Sequence, residues 1–233
     1  IVGTDDRLTL KDMFRSGTST TDYGVEQFVF ADGTVWQLSD IYAHAAAGSA
    51  DDQFIMTSYS GALATNNAWV ARELIQHEAY QQIFPGTRLR TDSSAKGEWR
   101  TTANGIVYAS GAGGTITGYG AGKHRPGFGG AIIIDDPHKP DEATSDVMRQ
   151  NVIDWFQNTL ESRKNDPANT PIILIMQRVH EKDLAGWLIG GGNGEQWERV
   201  TLPAECDSED DPLGREIGAA LWPEKHDERA LAV

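Results

Sequence analysis

The sequence feature that most limits the fold is an uninterrupted β-branched run that ends in two acids. Ala131 leads into three isoleucines at 132–134, and Asp135 and Asp136 follow directly. Such a run is typical of a strand buried on both faces of a parallel sheet. Ligands bind such sheets at the carboxyl ends of the strands. We therefore predict that Asp135 and Asp136 emerge at that edge, although Pro137 is equally consistent with a plain polar turn.

Strands and helices alternate around this run. The further segments that we predict as strands or strand pairs are 54–58, 99–109, 171–176 and 197–202. The segments with helical spacing are 63–83, 145–163 and 184–189. Asn104-Gly105 predicts a hairpin turn, Ser145 a helix N-cap, and the 171–176 run a second buried strand. This alternation predicts an α/β fold with a mostly parallel sheet.

The two longer helices have apolar residues at positions that would share one face. The predicted inner faces consist of Leu63, Val70, Leu74 and Ile75 in the first helix, and of Val147, Val152, Trp155, Phe156 and Leu160 in the second. We expect these side chains to be buried against the sheet.

The first fifty residues differ in character and predict a small β segment. Asp32-Gly33 is a strong tight-turn signal between two apolar stretches, and Val35-Trp36 would open the returning strand. An alanine- and serine-rich patch at 43–50 predicts a linker. We therefore divide the chain into a β segment at 1–48, an α/β core at 49–205 and an acidic connector at 206–233.

Composition excludes several classes of protein. A chain of 233 residues is long enough for one domain with a proper core. Its net charge of −14 argues against a protein that coats nucleic acid by bulk electrostatics, but leaves room for a local DNA-binding patch. Cys206 is the single cysteine, which excludes an internal disulfide and a cysteine-rich zinc site. Because the first residue is Ile1, we expect a fragment, a processed form or part of a longer reading frame.

A series of motifs carries a resemblance to a known family. In order, they are FIMTSYSGALA, GEW with ASGAGGTITGYGAG, FGGAIIIDDPHKPDEATS, WFQNTLESR, TPIILIMQRVHEKDLAGWLI, and WERVTLPAE with DPLGREIGAALWPEK. The series is similar to the ATPase half of tailed-phage terminase large subunits, the DNA-packaging motors. It covers about residues 54–224, and the pair AIIIDDPHKP and IMQRVHEKDLAGWL is specific in combination.

The resemblance assigns roles to particular residues. It implies a P-loop NTPase type of sheet, with ATP and Mg²⁺ as cofactors. Asp135 would be the Walker B magnesium ligand, and Asp136 stands where the family has its catalytic carboxylate. Gln177 stands where a polar residue senses the γ-phosphate, and Arg178 could bridge a phosphate or an acid. His180 and Asp183 complete an Arg-x-His-x-x-Asp pattern, for which we favour a hydrogen-bonded structural turn.

The phosphate-binding loop of that family is missing from this chain. There is no lysine between Lys11 and Lys96, and no Gly-Lys-Ser or Gly-Lys-Thr anywhere. The stretch from Gly118 to His124 imitates a P-loop, but its spacing is one residue short and His124 replaces the magnesium-binding hydroxyl. The sheet is therefore expected to be incomplete, with weak or no ATP hydrolysis by this chain alone.

The amino-terminal segment has a resemblance of its own. LTLKDMFRSG and YGVEQFVFADGTVWQLSDI, at about residues 5–43, resemble the closing segment of RTX-type haemolysin calcium-binding proteins. The glycine- and aspartate-rich repeats that bind calcium in those proteins are not in this sequence, so we predict no calcium site. Asp32 is better interpreted as a turn residue than as a ligand.

Three interpretations of the chain are open. The first is a partial terminase ATPase, with double-stranded DNA, the terminase small subunit and the portal as implied partners, and with self-association possible. Its implied location is the cytoplasm of a phage-infected or prophage-bearing bacterium, without a membrane partner. The alternatives are a non-catalytic binding or assembly module, and a chimeric reading frame that carries an RTX-type segment.

Overall fold

The computed structural model describes residues 50–223 and two short strands before them, Gln27–Val29 and Val35–Gln37. The strands are β1 (Gln27–Val29), β2 (Val35–Gln37), β3 (Gln53–Ser58), β4 (Leu89–Ser94), β5 (Glu98–Thr101), β6 (Ile106–Gly111), β7 (Ile132–Asp135) and β8 (Ile172–Ile175). The helices are α1 (Gly61–Gln76), α2 (Glu78–Ile83), α3 (Asp146–Trp155) and α4 (Leu184–Ile189). A π-helical segment, Phe156–Leu160, and a 3₁₀ turn, Glu161–Arg163, prolong α3.

Six strands form one sheet in the order β4-β5-β6-β3-β7-β8. The strands β6, β3, β7 and β8 are paired in parallel, whereas β5 pairs antiparallel with β6 and β4 pairs antiparallel with β5. This arrangement confirms the predicted α/β class with a mostly parallel sheet. The hairpin between β5 and β6 turns at Asn104, whose φ of 67° is the left-handed conformation that an Asn-Gly turn requires.

The two amino-terminal strands pair with each other. β1 and β2 are antiparallel, with Phe28 opposite Trp36. They are the two strands expected on either side of Asp32-Gly33, while the turn itself and the proposed role of Asp32 lie outside the described residues.

Helix α1 packs on one face of the sheet, which we call the α1 face. Ala68 of α1 is fully buried with Trp99 and Val107, and Phe54 and Met56 of β3 pack against this cluster. The Trp99 indole donates from Nε1 to the Ala68 carbonyl at 2.9 Å. Small alanines let the helix lie close to the strands, and the large indole fills the remaining space.

The helix after β7 lies on the opposite face, because parallel crossovers are right-handed. The path from β3 through α1 and α2 leads to β4 on one side of β3, and the path from β7 through α3 leads to β8 in the opposite direction along the sheet. Ile55, Ile132 and Ile134 point to this second face and are fully buried. Ser145 caps α3 by accepting a hydrogen bond from the Met148 amide, which confirms the predicted helix start.

On the α1 face, the end of the sheet at β7 and β8 is open. Ile133, Ile173 and Ile175 share this face through their register, and we call these three residues the edge patch. Ile133 is half-buried, whereas Ile173 is 43% exposed and Ile175 55% exposed. The prediction of a second buried strand at 171–176 was therefore wrong, because β8 lies at the edge of the sheet.

Other predictions of burial and length were also wrong. Val70, Leu74 and Val147 are exposed, since Ala64 and Ala68 provide the buried side of α1, and Ile153 and Trp155 that of α3. The helix predicted over 63–83 is broken at His77, whose ψ of 140° is extended and whose imidazole caps α2. No strand forms at 197–202, where no backbone pairing supports one.

The chain divides into two compact units, at residues 1–186 and 187–233. Within the second unit, Arg215 donates to Asp211 at 2.7 Å and to the carbonyls of Pro203 and Ala219. The Arg215 hydrogen bond lowers the pKa of Asp211 to about 2. The predicted boundary between 205 and 206 stays a prediction. No helix in the described part of the chain is long and apolar enough to cross a bilayer.

Candidate functional site at the carboxyl edge of the sheet

Asp135 is the last residue of β7 and lies at the carboxyl edge of the parallel sheet. It is in register with Ser58 at the end of β3 and with Ile175 at the end of β8. Its side chain is on the α1 face, where the Asn67 amide donates to Oδ2 at 2.8 Å. The predicted position at the rim is therefore the observed one, and the carboxylate is half-buried rather than free in solution.

Asp136 leaves the strand in an unusual backbone conformation. Its φ is 41°, a left-handed value that is uncommon for a residue other than glycine. Its amide donates to the Ile175 carbonyl at 2.9 Å, and its carbonyl accepts from the Tyr59 amide at 3.0 Å. These bonds to both neighbouring strand ends hold the conformation. Such positions cluster at functional sites, where the surrounding structure holds them in place.

Gln177 lies beside Asp136. The Gln177 amide donates to Asp136 Oδ1 at 3.3 Å. Asp135, Asp136 and Gln177 therefore meet at the ends of two adjacent strands. Among the described residues, neither carboxylate has a lysine or arginine within ion-pair distance. Within the described part of the chain, the two carboxylates are contacted by the Asn67 side-chain amide and the Gln177 backbone amide and by no cation.

Arg178 turns away from these carboxylates into a local network. Its Nε donates to both oxygens of Asp183 at 3.0 Å, and its Nη2 donates to the carbonyls of His180 and Glu181. Asp183 is fully buried and also accepts from the amides of Val179, His180 and Gly186. Burial alone would raise the pKa of Asp183, but these hydrogen bonds outweigh it and lower the pKa. This arrangement is a structural turn that starts α4.

The glycine-rich segment that imitates a P-loop lies at the other end of the sheet. The Gly122 amide donates to the carbonyl of Gln53, the first residue of β3. Lys123 pairs with Asp51 at 3.5 Å. The length of β3 separates this segment from Asp135 by roughly 17 Å, given about 3.3 Å per residue. Lys123 therefore cannot serve a phosphate held beside Asp135.

The described residues fit one part of an ATP·Mg²⁺ site and not the other. Mg²⁺ is commonly held by one or two carboxylates, several waters and the substrate phosphates, and Asp135 can supply one such carboxylate. A triphosphate needs a nest of backbone amides and a lysine. Lys139 lies near this edge, but its ammonium pairs with Asp141 at 2.9 Å and with Glu142 at 3.4 Å rather than with either carboxylate. In the same described residues, no three His, Cys, Asp or Glu side chains form a metal cluster.

A cavity of about 260 Å³ lies beside the segments that follow these strand ends, and neither carboxylate is among its lining residues. Tyr59 and Pro137, which follow the ends of β3 and β7, line it together with His138 and Trp155. His138 Nε2 accepts from the Leu184 amide at 2.8 Å, so the ring proton is on Nδ1. Burial lowers the pKa of His138 and favours this neutral form. Trp155 Nε1 is buried and has no acceptor among the described residues.

Two residues of the site were missed by the sequence reasoning. Asn67 is a polar residue on the inner side of α1, one position before the buried Ala68. Its place between buried alanines is the signal that could have identified it. Ser58 ends β3 opposite Asp135, and its hydroxyl is buried without a hydrogen-bond partner among the described residues. Serine is too common at strand ends for its presence alone to have been informative.

Comparison with known proteins gives one finding about the amino terminus. The family model for the haemolysin-type calcium binding protein related domain matches residues 1–40. The match supports the RTX-like character of this segment, of which the structure describes only β1 and β2. A search of curated proteins finds no match to the chain.

Proposed function

We propose that residues 54–224 are the ATPase core of a phage DNA-packaging terminase that lacks its phosphate-binding loop. The observation that carries the proposal is the pair Asp135 and Asp136 at the carboxyl edge of a parallel sheet, where no described lysine or arginine forms an ion pair with them. Asp135 would hold Mg²⁺ through water, and Asp136 would polarise the water that attacks a γ-phosphate. Gln177, whose backbone amide donates to Asp136, would sense the γ-phosphate.

The proposal includes a deficiency. Without a lysine and an amide nest the triphosphate has no anchor, so we expect this chain alone to hydrolyse ATP poorly or not at all. Double-stranded DNA, the terminase small subunit and the portal are the partners that the proposal implies. Because the net charge of the chain is negative, DNA binding would require a local positively charged patch or another domain.

Metal binding tests the carboxylate part of the proposal directly. Mn²⁺ is a paramagnetic substitute for Mg²⁺, and we expect it to broaden the amide NMR signals around Asp135 and Asp136. Asp135→Asn should abolish this broadening because the metal loses its charged ligand. Asp92→Asn is the matched control, because Asp92 is an exposed acid paired with Arg90 on the surface. Equal broadening in both variants would refute the metal site.

Hydrolysis tests the deficiency. We expect no Mg²⁺-dependent ATPase activity above background from the purified chain. Clear activity that disappears with Asp136→Asn would show that the chain holds a triphosphate after all, and would overturn this part of the proposal.

A non-catalytic binding module is the second candidate, and the cavity beside Tyr59 favours it. The Trp155 side chain lines this cavity together with Tyr59, so a ligand bound there would contact it. Calorimetric titration with adenosine separates the candidates, because a nucleoside has no phosphates for the carboxylate edge. Adenosine binding that weakens in Trp155→Phe, with Trp69→Phe as the control outside the cavity, would support this module. If neither the wild type nor either variant shows heat of binding, a binding module for adenosine is excluded.

The match over residues 1–40 supports a third candidate, a chimeric reading frame that joins an RTX-type segment to the core. Sequencing across codons 44–54 in an independent clone tests it. Recovery of an upstream frame with Gly-Lys-Ser or Gly-Lys-Thr would support a chimera, and the same junction in expressed protein would count against it. Calcium titration followed by circular dichroism tests an RTX-type calcium site, and we expect no change.

A further inference from the structure

We propose that Asn67 and Ser58 are positioning residues for the Asp135 carboxylate, which they hold in place for a hydrated divalent cation. The three side chains come from α1, β3 and β7 and meet on the α1 face at the carboxyl edge of the sheet. The resemblance gives a role to Asp135 and none to the other two. The identity of the cation as Mg²⁺ rests on the proposed function, whereas the arrangement of these side chains does not.

Asn67 holds one oxygen of the carboxylate and leaves the other available. Its Nδ2 donates to Asp135 Oδ2 at 2.8 Å, and no described residue donates a hydrogen bond to Oδ1. The next residue, Ala68, is fully buried in the cluster between α1 and the sheet, which fixes this part of the helix. A carboxylate that is held through one oxygen presents the other in a constant position. Outer-shell partners of metal ligands act in this way.

Ser58 brings a hydroxyl that the described residues leave without a partner. It ends β3 in register with Asp135, so the two side chains leave neighbouring strands, about 4.8 Å apart, on the same face. The residue is fully buried, and its Oγ makes no hydrogen bond within the described part of the chain. Burying a hydroxyl is unfavourable unless it is hydrogen-bonded. A water of the cation's hydration shell that lies between Asp135 and Ser58 would provide this bond.

The hydroxyls on the opposite face at the same end of the sheet are paired. Thr57 precedes Ser58 on β3 and donates from Oγ1 to the Ile133 carbonyl at 3.3 Å. Ser110 is in register with Thr57 and donates to the Gly111 carbonyl at 3.3 Å. Successive residues of a strand point to opposite faces, so of these three residues only Ser58 shares the face of the carboxylate. The unpaired hydroxyl therefore lies where a bound cation would be.

The two residues act on different parts of cation binding. Mg²⁺ keeps several of its waters and demands near-ideal octahedral geometry, so a carboxylate and a water in fixed positions favour its binding. Asn67 fixes the carboxylate, and the Ser58 oxygen accepts a hydrogen bond from the water that donates its other hydrogen to Asp135. Neither residue changes the charge of the site. Their loss should therefore weaken binding of the cation without abolishing it, in contrast to the loss of Asp135.

Titration of the full chain with Mn²⁺ tests these roles through the broadening of the amide NMR signals around Asp135. Asn67→Ala and Ser58→Ala should each raise the Mn²⁺ concentration at half-maximal broadening by about tenfold or more. The matched controls are Asn66→Ala, at the exposed neighbour on α1, and Ser110→Ala, at the paired hydroxyl on the opposite face. Both controls should titrate as the wild type does.

Two further variants separate positioning from packing at Asn67. Asn67→Leu fills a similar space without a polar group and should weaken Mn²⁺ binding as much as Asn67→Ala does. Asn67→Asp places a second carboxylate beside Asp135 and should bind Mn²⁺ more tightly than the wild type, because affinity rises with the charge of the ligands. Normal binding by Asn67→Leu, or weaker binding by Asn67→Asp than by the wild type, would overturn the positioning role of Asn67.

The same titration distinguishes failure of the positioning roles from failure of the proposed function. If Asp135→Asn abolishes the broadening while Asn67→Ala and Ser58→Ala titrate as the wild type does, the positioning roles are wrong and the proposed metal site stands. If the wild type shows no broadening, both are wrong. Equal weakening in Ser58→Ala and Ser110→Ala would trace the effect to general disturbance of the sheet and overturn the role of Ser58. Urea denaturation of each variant verifies that it is folded.

Discussion

Two pairs of adjacent acids lie at opposite ends of the sheet, and their surroundings differ. Asp51 and Asp52 precede β3 at the amino end, where Arg125 donates to Asp51 at 2.8 Å and to Asp52 at 2.5 Å. Asp135 and Asp136 lie at the carboxyl end, where the donors to them from the described residues are the Asn67 side-chain amide and the Gln177 backbone amide.

The difference separates acids that hold the fold together from acids that are available for a ligand. At the amino end, the Arg125 hydrogen bond lowers the pKa of Asp51, whereas burial raises that of Asp52 against the opposing effect of Arg125. An acid pair that serves only structure needs such a partner, because adjacent carboxylates repel. No such ion pair forms with the acids at the carboxyl edge among the residues that the structure describes.

The largest loss of stability is expected at Asp183, a buried acid that accepts hydrogen bonds from more donor groups than Asp51 does. Asp183→Asn should lower the free energy of unfolding by about 3–5 kcal/mol. The substitution removes a fully buried carboxylate, so Arg178 and three backbone amides lose their charged acceptor. Urea denaturation measures this loss. Asp92→Asn, at an exposed ion pair, is the control and should not change the unfolding midpoint. A loss below about 1 kcal/mol for Asp183→Asn would contradict the structural role.

A smaller loss is expected at the amino end. Arg125→Met removes the cation shared by Asp51 and Asp52, and the pKa of Asp52 should rise further. An acid whose pKa is raised in the folded state contributes stability below its unfolded pKa and loses it as the pH rises through the folded value. The variant should therefore lose more stability at pH 7 than at pH 4 in urea denaturation. Arg90→Met at a surface pair is the control, and equal losses at both pH values would break the comparison.

Substitutions of the two acids at the carboxyl edge should cost little or no stability. Asp135→Asn and Asp136→Asn should change the free energy of unfolding by less than about 0.5 kcal/mol, since neither acid forms an ion pair with a described residue. Asp136→Gly should stabilise the fold by up to about 1 kcal/mol, because glycine adopts the left-handed conformation at 41° without strain. Thermal unfolding measures both. A loss above about 2 kcal/mol in any of these variants would make the pair a structural one.

The smallest effect concerns His138, next to this edge. Burial lowers its pKa, so the unfolded chain takes up a proton at a higher pH than the folded chain does. Stability should therefore fall as the pH drops below about 6.5 and level off below the folded pKa. His138→Gln, which keeps an acceptor for the Leu184 amide, should reduce this slope between about pH 7 and pH 5. If the slope measured by thermal unfolding is unchanged in this variant, groups other than His138 cause the pH dependence.

Local chemistry in the sequence was sufficient for several elements. The β-branched run before Asp135, the Asn104-Gly105 turn and the Ser145 cap each formed as predicted, because each depends on residues close together in the chain. Hydrophobic spacing was less informative about burial. Val70 and Val147 are apolar but exposed, since alanines lie closer to the sheet and the order of the strands decides which side faces it.

The candidate site was predictable in part for the same reason. Asp135 and Asp136 follow a buried strand, so their place at the rim is a local consequence of that strand. The partners Asn67 and Ser58 come from other elements, and the turning of Arg178 toward Asp183 depends on the start of α4. Such contacts depend on how elements pack, which no local pattern encodes.

The sequence by itself determined the α/β class, the two acids at the end of a strand, and the absence of a Gly-Lys-Ser or Gly-Lys-Thr loop, because these depend on composition and short-range order. Only the tertiary structure decided that β8 is an edge strand with Ile173 and Ile175 exposed, and that Lys123 lies at the far end of the sheet from Asp135. The reason is that strand order and crossover direction are set by packing between segments far apart in the chain, and the same apolar strand sequence fits the centre or the edge of a sheet.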